Sequence, residues 1–422
     1  MDARLLTSPK FIQSLPAEVL LEMQEQYDMI IIGAGISGLA MAHAAKQAGM
    51  QALVLEKESR AGGCLHSQPV PDEQSPFWLE MGTHTCFNSY GRLLKLLDAL
   101  GLKEEMRGRE KLRYRLLTKQ VAGDSQLASI PSQLHWFELI THAWRLLSLD
   151  KAGKSIADYY GALVGPDNYR DLFRHAFNAV SCQQADDMPA DMLFRKRPRD
   201  KSVMRSYTFD DGLSRMITAL TDRLELRTGQ NIHAIHAHAD GYVVETENNT
   251  FPCNKLVCAT PAPAASRLLK RAHPEIAAQL AWINEVEIES VAIVVEKSAL
   301  PLPATAGIIA VDGDFYSAVS RDFVAHPHLR GFTFHFKPGL LNDAEKEARI
   351  CKILKIEKAD LLYVFNKTNR LPAPDMGHHH LIEELDALLV DQSLGLVGNY
   401  FNGVAVEDCL ERVDMEFARL SA

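Results

Sequence analysis

The chain alternates short apolar runs with amphipathic stretches, and the clearest alternation comes first. Residues 29–32 are apolar without a break, as a strand buried on both faces of a parallel sheet requires, and residues 52–55 repeat the pattern. Between them, residues 36–47 predict a helix. Strand, helix and strand in such close succession predict a βαβ unit.

Farther on, an apolar helix is predicted over residues 92–100, closed by Gly101. Residues 85–205 read mostly as helix, with Leu116, Trp136, Phe137, Leu139, Trp144, Leu146 and Leu147 among the apolar positions. The helical spacing of Trp136, Phe137 and Trp144 reads first as core and second as an interfacial apolar face. Strand character returns at 232–235 and 242–246, with Gly241 as the hairpin turn, and at 255–260, a late strand of the opening unit. Short strands at 289–296, 307–311, 317–320 and 331–336 suggest a second, mixed sheet. Helices over 343–357 and 382–391 precede a closing strand, turn and helix from Gly395 onward. Near the start, Ser14 and Pro16 predict a short helix carrying Val19, Leu20 and Met23. Glu18, Glu22 and Glu25 break any secretory core there, so residues 1–26 read as an extension.

The chemistry lies at the corners of the opening unit. Gly33 permits a tight turn, Gly35 lets backbone approach a pyrophosphate at a helix N-terminus with Ile36 and Ser37, and Gly38 allows close helix–strand packing. Glu56, 18 residues after Gly38, stands where an acid accepts the two ribose hydroxyls. The following Lys57, Arg60, Gly62 and Gly63 add the second glycine pair that favours FAD. At the other end, Gly398 and Asn399, with Val404, Ala405 and Val406 opening a helix, suit a second close approach to the same cofactor.

Composition narrows the class. With 422 residues, two interleaved domains are the natural expectation, and a formal charge of −9 argues against nucleic acid as the main partner. Seven cysteines without a C-x-x-C pair fit a reducing compartment, hence a cytoplasmic protein that could sit against the inner membrane face. No run of 18 apolar residues is present. Adjacent His378, His379 and His380 cannot converge on one ion, so no metal is expected.

The motifs together resemble the FAD-dependent amine oxidase superfamily, through Gly33-Ala-Gly35-Ile-Ser-Gly38, Glu56-x-x-x-Arg60-x-Gly62-Gly63 and Gly398-Asn399. Within it, Asn399-Tyr-Phe-Asn-Gly403-Val-Ala-Val-Glu-Asp-Cys409 and Leu371-Pro372-Ala-Pro-Asp-Met-Gly377-His378 are similar to strings of the oxygen-dependent protoporphyrinogen oxidases. The resemblance implies that Gly33, Gly35 and Gly38 meet the pyrophosphate, Glu56 the ribose, Ile232 the adenine, and Arg60 and Gly63 the region nearer the flavin ring. It implies Gly82 and Thr83 beside the flavin and Gly398, Asn399 and Val404–Val406 along the ribityl chain. His84 is a candidate for tuning the flavin, with a structural hydrogen bond as the alternative. Many amine oxidases carry a lysine on a substrate-domain strand, and the corresponding stretch 286–295 has none. Asp211, Asp375 and Thr83-His84 depart from the family pattern.

The expectation is an α/β fold: a Rossmann-type FAD-binding domain interleaved with a mixed-sheet substrate domain and a helical insertion. The segments are an extension (1–26), FAD-binding parts (27–84, 206–265 and 391–422), a helical substrate or membrane-facing region (85–205) and the substrate sheet (266–390). The expected activity is oxidation of a porphyrinogen-like molecule, protoporphyrinogen IX or coproporphyrinogen III, with O2 or a quinone as electron acceptor. The alternative is an amine or specialised-metabolite oxidase. A flavin-binding protein without turnover is the reading from another class. Such a substrate carries propionates, for which Arg92, Lys95 and Arg195-Lys196-Arg197-Pro198-Arg199 are candidate cations, and the last run also reads as a solvated loop or a lipid contact. Peripheral membrane contact and a homodimer are left open.

Overall fold

The computed structural model describes residues 26–71, 75–118, 126–147, 149–311 and 313–422. The helix predicted around Ser14 and Pro16 lies outside the described residues.

The first sheet grows from the predicted unit. Strand β1 (Tyr27–Ile32) leads into helix α1 (Ile36–Gln47) and strand β2 (Ala52–Leu55), and β1 and β2 pair in parallel. Counting onward through β3 (Ser67–Val70), β4 (Phe77–Glu80), β5 (Tyr114–Thr118) and β6 (Gln126–Ser129), the sheet adds β7 (Glu225–Arg227), β8 (Ile232–His238), β9 (Gly241–Thr246) and β10 (Thr250–Cys258). The order is β7-β2-β1-β10-β9-β8, with a late strand Leu394–Leu396 beside β10. The unbroken apolar run of β1 has a simple cause. Met29 and Ile31 pack with Leu39 of α1, whereas Ile30 and Ile32 pack with Ala265, Leu269 and Leu385 on the other face.

The second sheet uses β5 and β6 with β11 (Glu285–Glu296), β12 (Gly307–Ala310), β13 (Phe315–Ser320), β14 (Leu329–Phe336) and β15 (Leu361–Pro372), in the order β15-β11-β14-β13-β12-β5-β6. Val291, Ile293 and Val295 face a core built with Ile350, Ile353 and Leu354 of the helix Asp343–Leu354. Ala292 and Val294 face Phe77, Leu79 and Met81, on and just after β4. The sheet is covered on both sides, and its β4 side looks toward the first sheet's loops.

Three expectations change. Residues 85–205 are not mostly helical: Leu116 lies in β5, which pairs in parallel with β12, Tyr114 opposite Gly307. A five-residue strand whose partner lies so far away leaves no local periodicity to read. Helices Pro274–Leu280 and His378–Leu389 fall inside the expected substrate-sheet segment, and Ala262–Leu269 runs into it, but all three pack on the first sheet, through Leu269, Leu280 and Leu385. The 12-residue β15 was not expected at all, because Asn366, Lys367, Thr368, Asn369 and Arg370 make it read as loop.

Trp136 and Phe137, on the helix Trp136–Ala143, and Trp144 just beyond it are not core: Phe137 is 84% exposed, Ile140 71%, Trp144 63% and Trp136 54%. Among the described residues no helix is long and apolar enough to cross a membrane.

Candidate active site

The two glycine-bearing corners meet. Ile32 of β1 pairs with Cys258 of β10, and Cys258 with Leu396, so three strand ends stop at one edge. The helix Val406–Ser421, with Val406, Cys409, Leu410 and Val413, shares a core with Leu39 of α1. The Ser37 hydroxyl contacts the Cys409 thiol between their first turns.

Local sterics explain the glycines. Gly33 has φ +106°, and a Cβ there would lie 2.8 Å from the Ala259 carbonyl oxygen. A Cβ on Gly38 would sit 2.0 Å from the Gly33 oxygen, whereas nothing lies within 4 Å of a Cβ on Gly35. Gly35 opens α1 without a side-chain cap, leaving the N–H groups there free to face an anion. A strained turn, a bare helix end and open space beside the backbone fit a pyrophosphate.

Glu56 accepts from the Ala34 amide (2.7 Å) and the Glu58 amide (2.9 Å), tying β2 to the first corner. The chain before Ile232 returns to the same place, the Gln230 amide donating to the Glu56 carbonyl at 2.8 Å. Lys57 is exposed. The Gly62 amide donates to Ala34 at 2.7 Å, and the Arg60 guanidinium donates to the Gly63 carbonyl at 2.8 Å, holding the second glycine pair against the first. Thr83 donates its amide to the Cys64 carbonyl at 3.0 Å, and Gly82 leaves no room for a Cβ, 2.2 Å from that oxygen. Gly398 is followed by Asn399, which with Val404, Tyr400, His378 and Met192 lines a cavity of about 10 Å³, room for about one water. Ala405 caps the last helix, where Val406 is buried. The corners thus converge, while Ile232 opens β8 two residues after Gln230.

Beside this edge lies a polar cluster that sequence reading missed. Ser290 of β11 contacts His335 Nδ1 of β14 at 3.0 Å, and Asn369 of β15 donates to Ser290 (3.0 Å) and to the Met81 carbonyl (2.7 Å). Lys367, opposite Ser290 in register, donates from Nζ to the Gly63 carbonyl at 3.0 Å. Burial, with Arg60 adding to it, lowers the Lys367 amine to about 8. Burial also lowers His335 to about 4 and, with Arg109 beside it, His84 to about 3. Both imidazoles stay neutral near pH 7, and His84 Nδ1 lies 2.8 Å from Thr85 Oγ1, the structural alternative of its two readings. One signal was available: on one face of β11 and β15, Ala292 and Val294 give way to Ser290, and Tyr363 and Phe365 to Lys367 and Asn369.

Several candidate cations are already paired. Arg195 binds Asp408 (2.8 Å) and Glu411 (2.7 Å), and Arg197 binds Asp408, so this part of the basic run is neither a solvated loop nor a free cation. Arg92 binds Asp414 at 2.8 Å. Lys95, Lys196 and Arg199 are exposed. His378 meets the Tyr400 carbonyl, His379 meets Asp191, and His380 meets Glu384, so the three imidazoles diverge.

A family model described as flavin containing amine oxidoreductase matches residues 36–294. The chain belongs to that family. Flavin containing amine oxidoreductases use FAD, and the two corners described above fit it. Among curated relatives, a flavin-dependent L-tryptophan oxidase from Lentzea aerocolonigenes is 21% identical over 283 residues, 55% of this chain and 57% of that one. A mitochondrial protoporphyrinogen oxidase from Nicotiana tabacum is 41% identical over 75 residues, 18% and 14% of the two chains. A probable flavin-containing monoamine oxidase A from Dictyostelium discoideum is 35% identical over 81 residues, 19% and 17%. The matches therefore span less than two thirds of these relatives. Among solved structures, a protoporphyrinogen oxidase candidate from Exiguobacterium sp. 255-15 superposes with a TM-score of 0.76 at 18% identity, covering 94% of this chain and 100% of that one. A cyclohexylamine oxidase from Brevibacterium oxydans IH-35A superposes with a TM-score of 0.69 at 16% identity, covering 94% and 99%. At such identities they establish the amine oxidoreductase fold and nothing finer.

Proposed function

We propose that the protein is an FAD-dependent oxidase that dehydrogenates a porphyrinogen-like substrate, protoporphyrinogen IX or coproporphyrinogen III. The observation that carries this reading is the meeting of the two glycine-bearing corners at one sheet edge, with the cluster of Ser290, His335, Asn369 and Lys367 against the Gly63 turn. Such a site suits removal of hydride from a carbon positioned over the flavin. When bound, FAD supplies the electron sink and passes electrons on to O2 or a quinone. The chain's own residues orient the substrate and exclude water: Asn369 and Ser290 fix the cleft floor, and Arg60 and Lys367 hold the Gly63 turn. Support for the porphyrinogen class comes from the strings Asn399–Cys409 and Leu371–His378 and from the fold shared along 94% of the chain with the protoporphyrinogen oxidase candidate.

Lys367 favours a second reading. The strand 285–296 lacks a lysine, but its neighbour β15 delivers one to the same place, so an amine oxidase remains the alternative. Purified protein should be yellow and should raise porphyrin fluorescence on addition of a porphyrinogen. Peroxide release from an amine panel, with no response to porphyrinogens, overturns the leading reading and selects the second. FAD that no donor reduces anaerobically would favour a non-catalytic flavoprotein.

The reading extends to location. The exposed Trp136, Phe137, Ile140 and Trp144 form a face suited to a lipid headgroup boundary, which would place a cytoplasmic protein peripherally on a membrane. Phe137→Asp with Ile140→Asp should abolish co-sedimentation with anionic vesicles while leaving FAD content unchanged. Co-sedimentation equal to the parent protein's would overturn this placement.

A further inference from the structure

A second space opens just beyond the end of β15. It is a cavity of about 190 Å³ whose lining includes Trp282, Asn284, Asp375, His378 and Leu381. The chain leaving β15 ties its walls together, the Ala373 amide donating to the Asn284 carbonyl at 2.8 Å. None of the glycines assigned to the cofactor lines it, and neither does Lys367, Ser290 or His335. His378 alone is shared with the small void beside Asn399 and Val404.

The lining has a definite chemical sense. Trp282 is 73% exposed, so an indole able to bury a large apolar area is left in water. Asp375, one of the positions that depart from the family pattern, accepts from the Gly377 amide at 3.0 Å and among the described residues has no ion pair. The basic side chains close to it in the chain are engaged elsewhere, Arg370 with Glu287 at 2.7 Å and His379 with Asp191 at 2.9 Å.

His378 is buried, and its Nε2 lies 2.6 Å from the Tyr400 carbonyl. A carbonyl oxygen only accepts, so Nε2 carries the proton. Burial keeps the ring from taking up a second one. Nδ1 is therefore a lone pair, which no donor meets among the described residues.

These groups select a cation. An anion would be repelled by Asp375, and a neutral apolar molecule would strip water from that carboxylate without replacing it. An ammonium group pairs with Asp375, donates an N–H to Nδ1 and places its charge against the Trp282 ring. A quaternary ammonium has no N–H for Nδ1, so a primary one fits better. The volume is that of roughly six waters, below the usual range for a drug-sized ligand, so the ligand is small.

We propose that this cavity binds a small primary amine in its ammonium form, at a site separate from the one facing the flavin. The inference does not depend on which substrate the enzyme oxidises.

The test is titration of the FAD-loaded protein at pH 7 with n-butylamine and with 1-butanol, its uncharged counterpart, followed by calorimetry and tryptophan fluorescence. The amine should bind about tenfold more tightly or better and should change the emission. Asp375→Asn keeps an acceptor for the Gly377 amide but removes the charge, and it should weaken the amine by a similar factor. Trp282→Leu should weaken it too and abolish the emission change. Both positions are exposed, so the melting temperature should hold. Equal binding of amine and alcohol overturns the inference, and so does amine binding undiminished in both variants, which would place the amine at the flavin instead. The first comparison needs no variant, so it stands even if a variant fails to fold. Porphyrinogen turnover tests the proposed function separately.

Discussion

The two sheets present different kinds of surface at the place where they meet. Around β1 the buried residues are apolar on both faces, and what the corner offers a cofactor is bare backbone at Gly33, Gly35 and Gly38, with one acid, Glu56, beside it. On the facing sheet the polar surface is built from side chains instead, Ser290, His335, Lys367 and Asn369 from three strands. A pyrophosphate is the same in every flavoprotein, so fixed backbone amides suffice for it. A substrate needs groups that can vary without disturbing the chain path.

The sharpest break of this comparison is at the glycines. Gly38→Ala places Cβ 2.0 Å from a backbone oxygen, so it should destabilise by about 3 kcal/mol or more and abolish FAD uptake. Gly35→Ala meets nothing within 4 Å, so it should melt like the parent protein yet bind FAD at least tenfold more weakly. Equal melting and equal FAD affinity for both variants would remove the backbone half of the contrast.

Next comes Glu80. Its folded carboxyl titrates near 7 against about 4.3 in an unfolded chain, because burial disfavours the anion. The folded state therefore holds the proton more tightly. This contribution, about 4 kcal/mol at most, is fully present below the unfolded value and is lost as pH rises through about 7. Chemical denaturation from pH 4 to 8 should show that fall, and Glu80→Gln should flatten it. An unchanged slope in the variant would assign the pH dependence elsewhere.

Asn369→Ala leaves the Met81 carbonyl and the Ser290 hydroxyl short of a donor, a cost of about 1–3 kcal/mol. Its melting point should drop while FAD content holds, which would separate the substrate floor from the cofactor corner. The smallest structural effect belongs to Lys367→Met, which removes a half-buried amine, with a stability change of about 1 kcal/mol or less. Its readout is kinetic. Lys367 loses its proton as pH rises through about 8, so an inflection of turnover near that value should vanish in the variant.

How much was readable follows from the same contrast. Gly33 to Gly63 and Gly398 to Val406 could be recognised because the spacing of a backbone turn is written in consecutive residues. The helix Ile36–Gln47 and the strand Ala52–Leu55 match their predicted ends for that reason. Lys367, Asn369, Ser290 and His335 were invisible because each is an ordinary polar residue until β11, β14 and β15 align in register. Trp136, Phe137 and Trp144 misled because an amphipathic period records which face is apolar but not whether anything covers it.

The sequence by itself determined the local chemistry of the cofactor half: a strained turn, an open helix end and an acid at the next strand's tip, all fixed by short-range sterics. Only the tertiary structure decided the substrate half. The partners there are separated by tens to hundreds of residues, and their charge balance exists only after two sheets close over them. Lys367 is a surface-type residue in the chain, and in the fold burial lowers its amine to about 8; the difference is the water that packing removes.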